Sequence, residues 1–137
     1  MHILSQGTVL LCDDPRQAAQ FYIQHLGFQA VVELDWYVSL QHPDLPGIHL
    51  DLLHRAHEAN SASQRHQPTS GILLGFMVED AAREEKRLSA AGLTITKPLT
   101  DESWGQRRFQ VLAPDGVIVE VLQTIPPDPT WLAQQGR

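Results

Sequence analysis

Apolar residues along this chain form short strand-like runs interrupted by stretches with helical spacing. The run Thr8–Leu11 predicts a buried strand. Asp14 and Pro15 then predict a helix start, because an Asp side chain caps free N–H groups and Pro lacks the N–H that would stay unpaired there. Gly27 predicts the end of this helix, since glycine readily adopts the left-handed conformation of a C-terminal cap.

Three more strand-like runs complete the first half of the chain. Their β-branched and aromatic residues, and the alternation of apolar and polar positions in the last run, are typical of half-buried strands. The runs are Phe28–Leu34, Trp36–Leu40 and Ile48–Leu53. The polar stretch 56–70 follows and predicts a linker.

The same order of elements returns in the second half. Asp80 and Gly92 predict the two ends of another helix. The remaining predicted elements are a strand at Ile72–Val78, a short strand at Leu93–Thr96, a loop from Pro98 to Gly105, strands at Arg107–Leu112 and Val117–Leu122, and a surface tail at 126–137 anchored by Trp131 and Leu132. The tail contains Pro126, Pro127 and Pro129.

Matching landmarks in the two halves lie at a nearly constant spacing. The pairs are Asp14 with Asp80, Gly27 with Gly92, Gly47 with Gly116, and Asp51 with Glu120. A duplicated βαβββ unit explains all four pairs at once, whereas chance coincidence in an ordinary α+β chain is the alternative. We therefore predict one α+β domain over 1–137, with a first module at 1–55, a linker at 56–70 and a second module at 71–125.

Composition and charge narrow the functional classes. The chain is 42% apolar and 19% charged, as expected of a globular protein, and its net charge is −6. Nucleic acids and anionic membranes require clustered cations, so the sequence predicts neither as a partner. The single cysteine, Cys12, and the lack of a signal-like N-terminus predict a cytoplasmic protein. No phosphate-binding glycine loop and no nucleophile elbow is present.

Several motifs resemble the vicinal oxygen chelate superfamily, which includes glyoxalases, bleomycin-resistance proteins and extradiol dioxygenases. They are Asp14 followed by Phe21-Tyr22 and Leu26-Gly27-Phe28, then Trp104-Gly105-Gln106-Arg107, Phe109, and Ala113-Pro114-Asp115-Gly116 with Glu120 after it. The resemblance covers nearly the whole chain. It implies two βαβββ modules whose mixed sheets curl into a cup around a small-molecule site, and it implies a homodimer.

The resemblance also implies where a metal would be held. Metal-dependent members place one ligand on the first strand and one on the last strand of each module. By spacing, the four positions hold Gly7, Asp51, Leu73 and Glu120. Because glycine and leucine offer no donor, we predict no metal and no other cofactor; a divalent metal is the alternative.

Strand alternation selects the candidate ligand-binding residues. Side chains that share a strand face with the two carboxylates would line the cup, and Trp104 would act as a stacking lid. The set is Tyr37, Ser39, His49, Asp51, Trp104, Arg108, Gln110 and Glu120. Two alternatives remain: ion pairing of the carboxylates with Arg107 or Arg108, and a structural role for Trp104 at the end of the core.

These features leave three functional hypotheses. The first is reversible binding of a small planar or hydrophobic molecule, with drug sequestration as one form; an acidic cup would suit a cationic drug. The second is a metal-dependent lyase, isomerase or dioxygenase with a rebuilt site. The third is an interaction module without a ligand. His54, His57, Glu58 and His66 match no zinc-binding spacing, and most of them are expected in the solvated linker.

Overall fold

The computed structural model describes residues 1–136 of the chain, which contain eight strands, three α-helices and one 3₁₀ turn. In chain order the elements are β1 (Gln6–Cys12), α1 (Pro15–Leu26), β2 (Gln29–Glu33), β3 (Tyr37–Gln41), β4 (Ile48–His54), β5 (Leu73–Met77), α2 (Ala81–Ala90), β6 (Ile95–Glu102), β7 (Gln106–Leu112), the 3₁₀ turn Pro114–Gly116, β8 (Ile118–Thr124) and α3 (Pro129–Gln134). None of the helices described is long and apolar enough to cross a membrane.

The chain forms two compact units, Met1–Ser70 and the part from Gly71 onward, called unit 1 and unit 2 below. Each contains one four-stranded mixed sheet, in the order β1-β4-β3-β2 in unit 1 and β5-β8-β7-β6 in unit 2. In both, the first and last strands pair in parallel and the other pairs are antiparallel. The parallel pair requires a long crossover, which includes the helix. The predicted βαβββ order is therefore present twice.

The core of unit 1 lies between α1 and one side of its sheet. Val38, Leu40, Leu50 and Leu52 are buried on β3 and β4, at the alternate positions that the sequence pattern predicts. The predicted helix ends are confirmed: the Asp14 side chain accepts a hydrogen bond from the Gln17 N–H at 3.2 Å, and Gly27 has φ +82°. Ala18, Ala19 and Tyr22 form the buried side of α1.

Unit 2 repeats this arrangement. Phe109 and Val111 on β7 and Val119 and Val121 on β8 are buried, together with Leu88 of α2. The predicted cap Asp80 accepts from the Arg83 N–H at 3.0 Å. Helix α2 ends at Ala90, and Gly92 follows with φ +86°, close to the predicted end.

The predicted loop from Pro98 to Gly105 is wrong in its first part, because β6 continues through Pro98 to Glu102. Proline in a strand removes a donor from the hydrogen-bond ladder, which is tolerated on edge strands and at bulges. Strand β6 is the edge strand of its sheet, and its pairing with β7 shifts register between Lys97 and Thr100, the interval that contains Pro98. The tertiary context thus permits a strand that the local sequence argues against.

The predicted anchoring of the C-terminal segment is wrong for Leu132, whereas Trp131 is half-buried. The segment contains the short helix α3, on which Leu132 is 55% exposed and therefore does not anchor it. Backbone hydrogen bonds hold the segment instead: the Ile125 N–H donates to the Gly105 carbonyl and the Asp128 N–H to the Ser103 carbonyl, each at 2.9 Å. The predicted tail also includes Arg137, which lies outside the described residues.

Residues 56–70, predicted as a linker, contain turns and no helix or strand. They belong to unit 1 and are fastened to the rest of it by side-chain contacts. The Thr69 hydroxyl donates to the Leu11 carbonyl at 2.5 Å, and Arg55, just before the segment, donates to the Gln67 carbonyl at 2.6 Å. The His57 ring stacks on Trp36 with 3.8 Å between the ring centroids.

Candidate functional site

In unit 1, four of the candidate residues lie on the side of the sheet opposite Leu50 and Leu52. The register pairs Ser39 with Asp51, and Gln41 with His49, across β3 and β4. Since successive side chains of a strand point to opposite faces, this side, called the Asp51 face below, carries Tyr37, Ser39, His49 and Asp51. Strand alternation alone predicted this shared face.

A hydrogen bond joins two of these residues. The Tyr37 hydroxyl donates to Asp51 Oδ2 at 2.9 Å. Burial raises the pKa of Tyr37 above its ordinary 10.0; the hydrogen bond to Asp51 raises this pKa further, and one with Ser39 acts in the opposite direction. Tyr37 is therefore a neutral phenol that donates to a carboxylate.

The second oxygen of Asp51 is different. Oδ1 is shielded from solvent and has no hydrogen-bond partner within residues 1–136. Buried carboxylate oxygens almost always accept a hydrogen bond, because an unpaired one loses its hydration without compensation. Asp51 as a whole is partly exposed, so its carboxylate lies close to the solvent-facing surface of the Asp51 face.

The neighbouring strand β1 leaves space beside this carboxylate. Gly7 pairs with His49 and Val9 with Asp51. A Cβ atom built on Gly7 would lie 3.9 Å from Asp51 Oδ2, so the glycine leaves the adjacent volume free of a side chain. Val9 is 50% exposed and adds apolar surface next to Asp51.

His49 and Ser39 contribute less than their positions suggest. His49 Nδ1 lies 3.3 Å from Gln41 Nε2, so its ring contacts the neighbouring strand rather than Asp51. Ser39 is only 5% exposed and offers a ligand little surface. Asp51 and Tyr37 are thus the polar centre of the Asp51 face.

In unit 2 the equivalent carboxylate, Glu120, is already engaged. Arg108 Nη1 and Gln110 Nε2 both donate to Glu120 Oε1, the latter at 3.0 Å. Arg108 also donates from Nε and Nη2 to Glu102 Oε2, at 2.9 and 2.7 Å. The hydrogen bond to Glu120 and then the one to Glu102 raise the pKa of Arg108 above its ordinary value. We call these four residues the Arg108 cluster.

Trp104 lies against this cluster. The Arg108 Cζ atom is 5.5 Å from the indole centroid, within the range of a cation–π contact. The indole N–H donates to Gln106 Oε1 at 2.8 Å, and 46% of the residue is exposed. Such exposure does not suit a residue that seals the end of a core.

The alternative of ion-paired carboxylates therefore applies to Glu120 and not to Asp51. It is Arg108 that pairs with Glu120, whereas Arg107 binds Asp101 at 2.7 Å. Glu102 was missed because Pro98 placed it in a predicted loop. Residues 100–103 are all polar, so no alternation of apolar and polar positions could have placed Glu102 on a strand face.

The metal positions inferred from the resemblance do not fit a resident divalent cation. Position 7 and position 73 carry no donor, and Glu120 faces a guanidinium group. Within the described part of the chain, no three His, Cys, Asp or Glu side chains are grouped so that they could hold a metal ion. A catalytic site usually needs three protein ligands and an open position.

Comparisons with known proteins agree with this fold. Solved structures similar to this chain include a glyoxalase/bleomycin resistance protein/dioxygenase from Nocardioides, with TM-score 0.75 and 18% identity, covering 91% of this chain and 85% of that one. A glyoxalase/bleomycin resistance protein/dioxygenase family enzyme from Burkholderia phytofirmans PsJN has TM-score 0.74 and 21% identity, and the match covers 90% of this chain and 100% of that one. Lactoylglutathione lyase from Agrobacterium tumefaciens has TM-score 0.69 and 21% identity, and the match covers 86% of this chain and 91% of that one. At these identities the likeness shows the fold alone.

No curated protein matches the chain. The sequence model of the Glyoxalase/Bleomycin resistance protein/Dioxygenase superfamily, in contrast, matches residues 2–121 and so spans both units. The duplicated βαβββ topology is what this family's structures share with the chain. This chain belongs to the Glyoxalase/Bleomycin resistance protein/Dioxygenase superfamily.

Proposed function

We propose that this protein reversibly binds a small planar organic molecule on the Asp51 face, through a positively charged or N–H-donating group of that molecule. The observation that carries this proposal is the unpaired Oδ1 of Asp51. A ligand N–H bound there would satisfy an acceptor that the described residues leave without a partner. An ammonium or amidinium group would add attraction to the carboxylate.

The surroundings of Asp51 support the same class of ligand. The Tyr37 ring and the exposed Val9 side chain supply flat and apolar surface beside the carboxylate. The net charge of −6 favours the approach of cations over anions. Binding without turnover would allow the protein to sequester a cationic drug.

The remaining candidate residues have a smaller part in this proposal. Glu120, Arg108 and Gln110 hydrogen-bond one another, so a ligand would have to compete with those contacts. Trp104 has exposed ring surface, and it remains a candidate for stacking on a flat ligand in unit 2. The proposal therefore depends on Asp51 and Tyr37.

The test compares charged ligands with neutral ligands of the same shape. Planar amines and amidines are screened by thermal shift, each against its uncharged amide, with benzamidine and benzamide as the smallest pair. Because a ligand that binds the folded state raises its stability by mass action, we expect charged members to raise the melting temperature more. Affinities of those that do are then measured by calorimetry.

Two substitutions locate the site. Asp51→Asn removes the charge with little change in shape, and we expect it to weaken binding at least about tenfold. Asp35→Asn removes the same charge from a side chain that is 95% exposed, and it should leave affinity unchanged. Equal binding by the wild type and Asp51→Asn would reject the proposal. Tightly held stoichiometric metal in the purified protein would favour the metal-dependent enzyme instead.

A further inference from the structure

We infer that the Arg108 guanidinium acts as a built-in cation of unit 2: it fills the place between Glu102 and Glu120 that a divalent cation could otherwise take. The inference is independent of the proposed ligand on the Asp51 face. It concerns only the Arg108 cluster, whose members lie on the three consecutive strands β6, β7 and β8.

The geometry shows that one guanidinium serves both carboxylates. Arg108 donates two hydrogen bonds to Glu102 and a third to Glu120. The side chains of Arg108, Glu102 and Glu120 are only 20%, 13% and 14% exposed. Two carboxylates that are largely removed from water repel each other unless a cation lies between them, and Arg108 is that cation.

Neighbouring Arg107 shows what an ordinary ion pair on the same strand looks like. It binds Asp101, and the two side chains are 35% and 56% exposed. This contact holds one carboxylate at the surface, whereas Arg108 joins two strands that flank its own. Arg107 is therefore a matched control for Arg108.

Charge and donor type explain why the native cluster excludes a metal. A divalent cation at Glu120 would lie next to the guanidinium that donates to the same carboxylate, and like charges repel strongly at that separation. Without the guanidinium, two carboxylates and the Gln110 amide oxygen would remain. Hard oxygen donors of this kind suit Mn²⁺, Mg²⁺ or Ca²⁺.

The experiment measures Mn²⁺ binding to the full chain by titration calorimetry and by water-proton relaxation. We expect no saturable Mn²⁺ binding by the wild type or by Arg107→Ala. Arg108→Ala should bind one Mn²⁺ saturably, at concentrations at least about tenfold below those at which the wild type still shows no saturation. The double variant Arg108→Ala/Glu120→Gln should lose this gain, because it lacks one of the two carboxylates.

The fluorescence of Trp104 is a second measure of Mn²⁺ binding at the Arg108 cluster. The Trp104 ring lies against Arg108, so in a background with Trp36 and Trp131 replaced by Phe, its fluorescence should respond to Mn²⁺ when Arg108→Ala is added and stay constant when Arg108 is kept. Circular dichroism checks that each variant is folded, and Arg108→Gln replaces Arg108→Ala if the alanine variant is not. A folded variant without gain overturns the inference. Mn²⁺ binding by the wild type that Glu120→Gln abolishes would also overturn the inference. This second test requires no Arg108 variant.

Discussion

Two carboxylates, Asp51 on β4 and Glu120 on β8, stand at equivalent positions of the two units, each beside the first strand of its sheet. Asp51 is opposite Val9, and Glu120 is opposite Gly75. Asp51 accepts one hydrogen bond from Tyr37, and its other oxygen has no partner among the residues that the structure describes. Glu120 accepts two hydrogen bonds, one of them from a cation. The neighbouring side chains thus leave one carboxylate available and neutralise the other.

Replacing Tyr37 by Phe should lower stability by about 1–2 kcal/mol near neutral pH, because Asp51 Oδ2 then loses its donor. The folded protein raises the pKa of Tyr37 above 10.0, so it favours the protonated phenol. The stabilisation that the protonated Tyr37 provides is fully present below pH 10, and it is lost as pH rises through the higher pKa of the folded state. The stability difference between the wild type and Tyr37→Phe should therefore shrink above pH 10.

Denaturant unfolding at pH 8 and above pH 10 measures that difference. Other groups that titrate in this range affect both proteins alike, so the comparison isolates Tyr37. A difference that stays constant or widens at high pH would contradict the assignment.

Strand alternation could predict which residues share a face with Asp51, because the period of two is a property of the backbone. It could not predict that Tyr37 reaches Asp51 while His49 turns to Gln41, since these contacts depend on side-chain rotamers. The unpaired oxygen of Asp51 likewise has no sequence signal.

At the scale of elements, features held by hydrogen bonds between near neighbours in sequence could be predicted, and features that depend on pairing between distant segments could not. The caps at Asp14 and Asp80 were predicted because the capping hydrogen bond joins residues three positions apart. The continuation of β6 through Pro98 was not, since it depends on pairing with β7 at the sheet edge. The attachment of the C-terminal segment to the turn at Gly105 also joins residues distant in sequence.

Among the glycines, Gly105 is the one at which we expect an added methyl group to lower stability most. Its φ is +103°, and a Cβ atom there would lie 2.9 Å from the Ile125 carbonyl oxygen. Gly105→Ala should therefore cost at least about 2 kcal/mol, from backbone strain and from the clash with a backbone atom.

Gly92→Ala is the matched control for that substitution. Gly92 also has positive φ, at +86°, but no atom of the described residues 1–136 lies within 4 Å of a Cβ atom built there. It should cost only about 1 kcal/mol, from strain alone. Denaturant unfolding compares the two variants, and equal losses would mean that the contact with the C-terminal segment is unimportant.

At the scale of the whole molecule, the duplication of the βαβββ unit could be predicted from the sequence. The different side-chain contacts that the two units make could not. Repeated landmarks in the sequence correspond to two sheets with the same strand order. The side chains added to this common backbone differ: a phenol beside Asp51, and a guanidinium beside Glu120. A backbone pattern constrains the topology, whereas each unit acquires its own chemistry at a few positions.

Exposed apolar side chains on β5 support the proposal that the protein is a homodimer. Leu73 and Met77 are 55% and 59% exposed, and they lie on the same strand face as Glu120 with Gly75 between them. Neighbouring apolar residues in water favour association, because burying them releases hydration water. We expect light scattering to give twice the chain mass of 15.3 kDa, independent of dilution over the micromolar range.

Substitutions to lysine test whether this strand is the contact. Leu73→Lys/Met77→Lys should give a folded monomer, since two charges would have to be buried in the interface. Leu132→Lys changes a side chain that is equally exposed but lies on α3, and it should remain dimeric. A monomeric wild type would reject the dimer. A dimeric double variant would show that the partner chain binds elsewhere, and the exposed residues of β5 would then need another explanation.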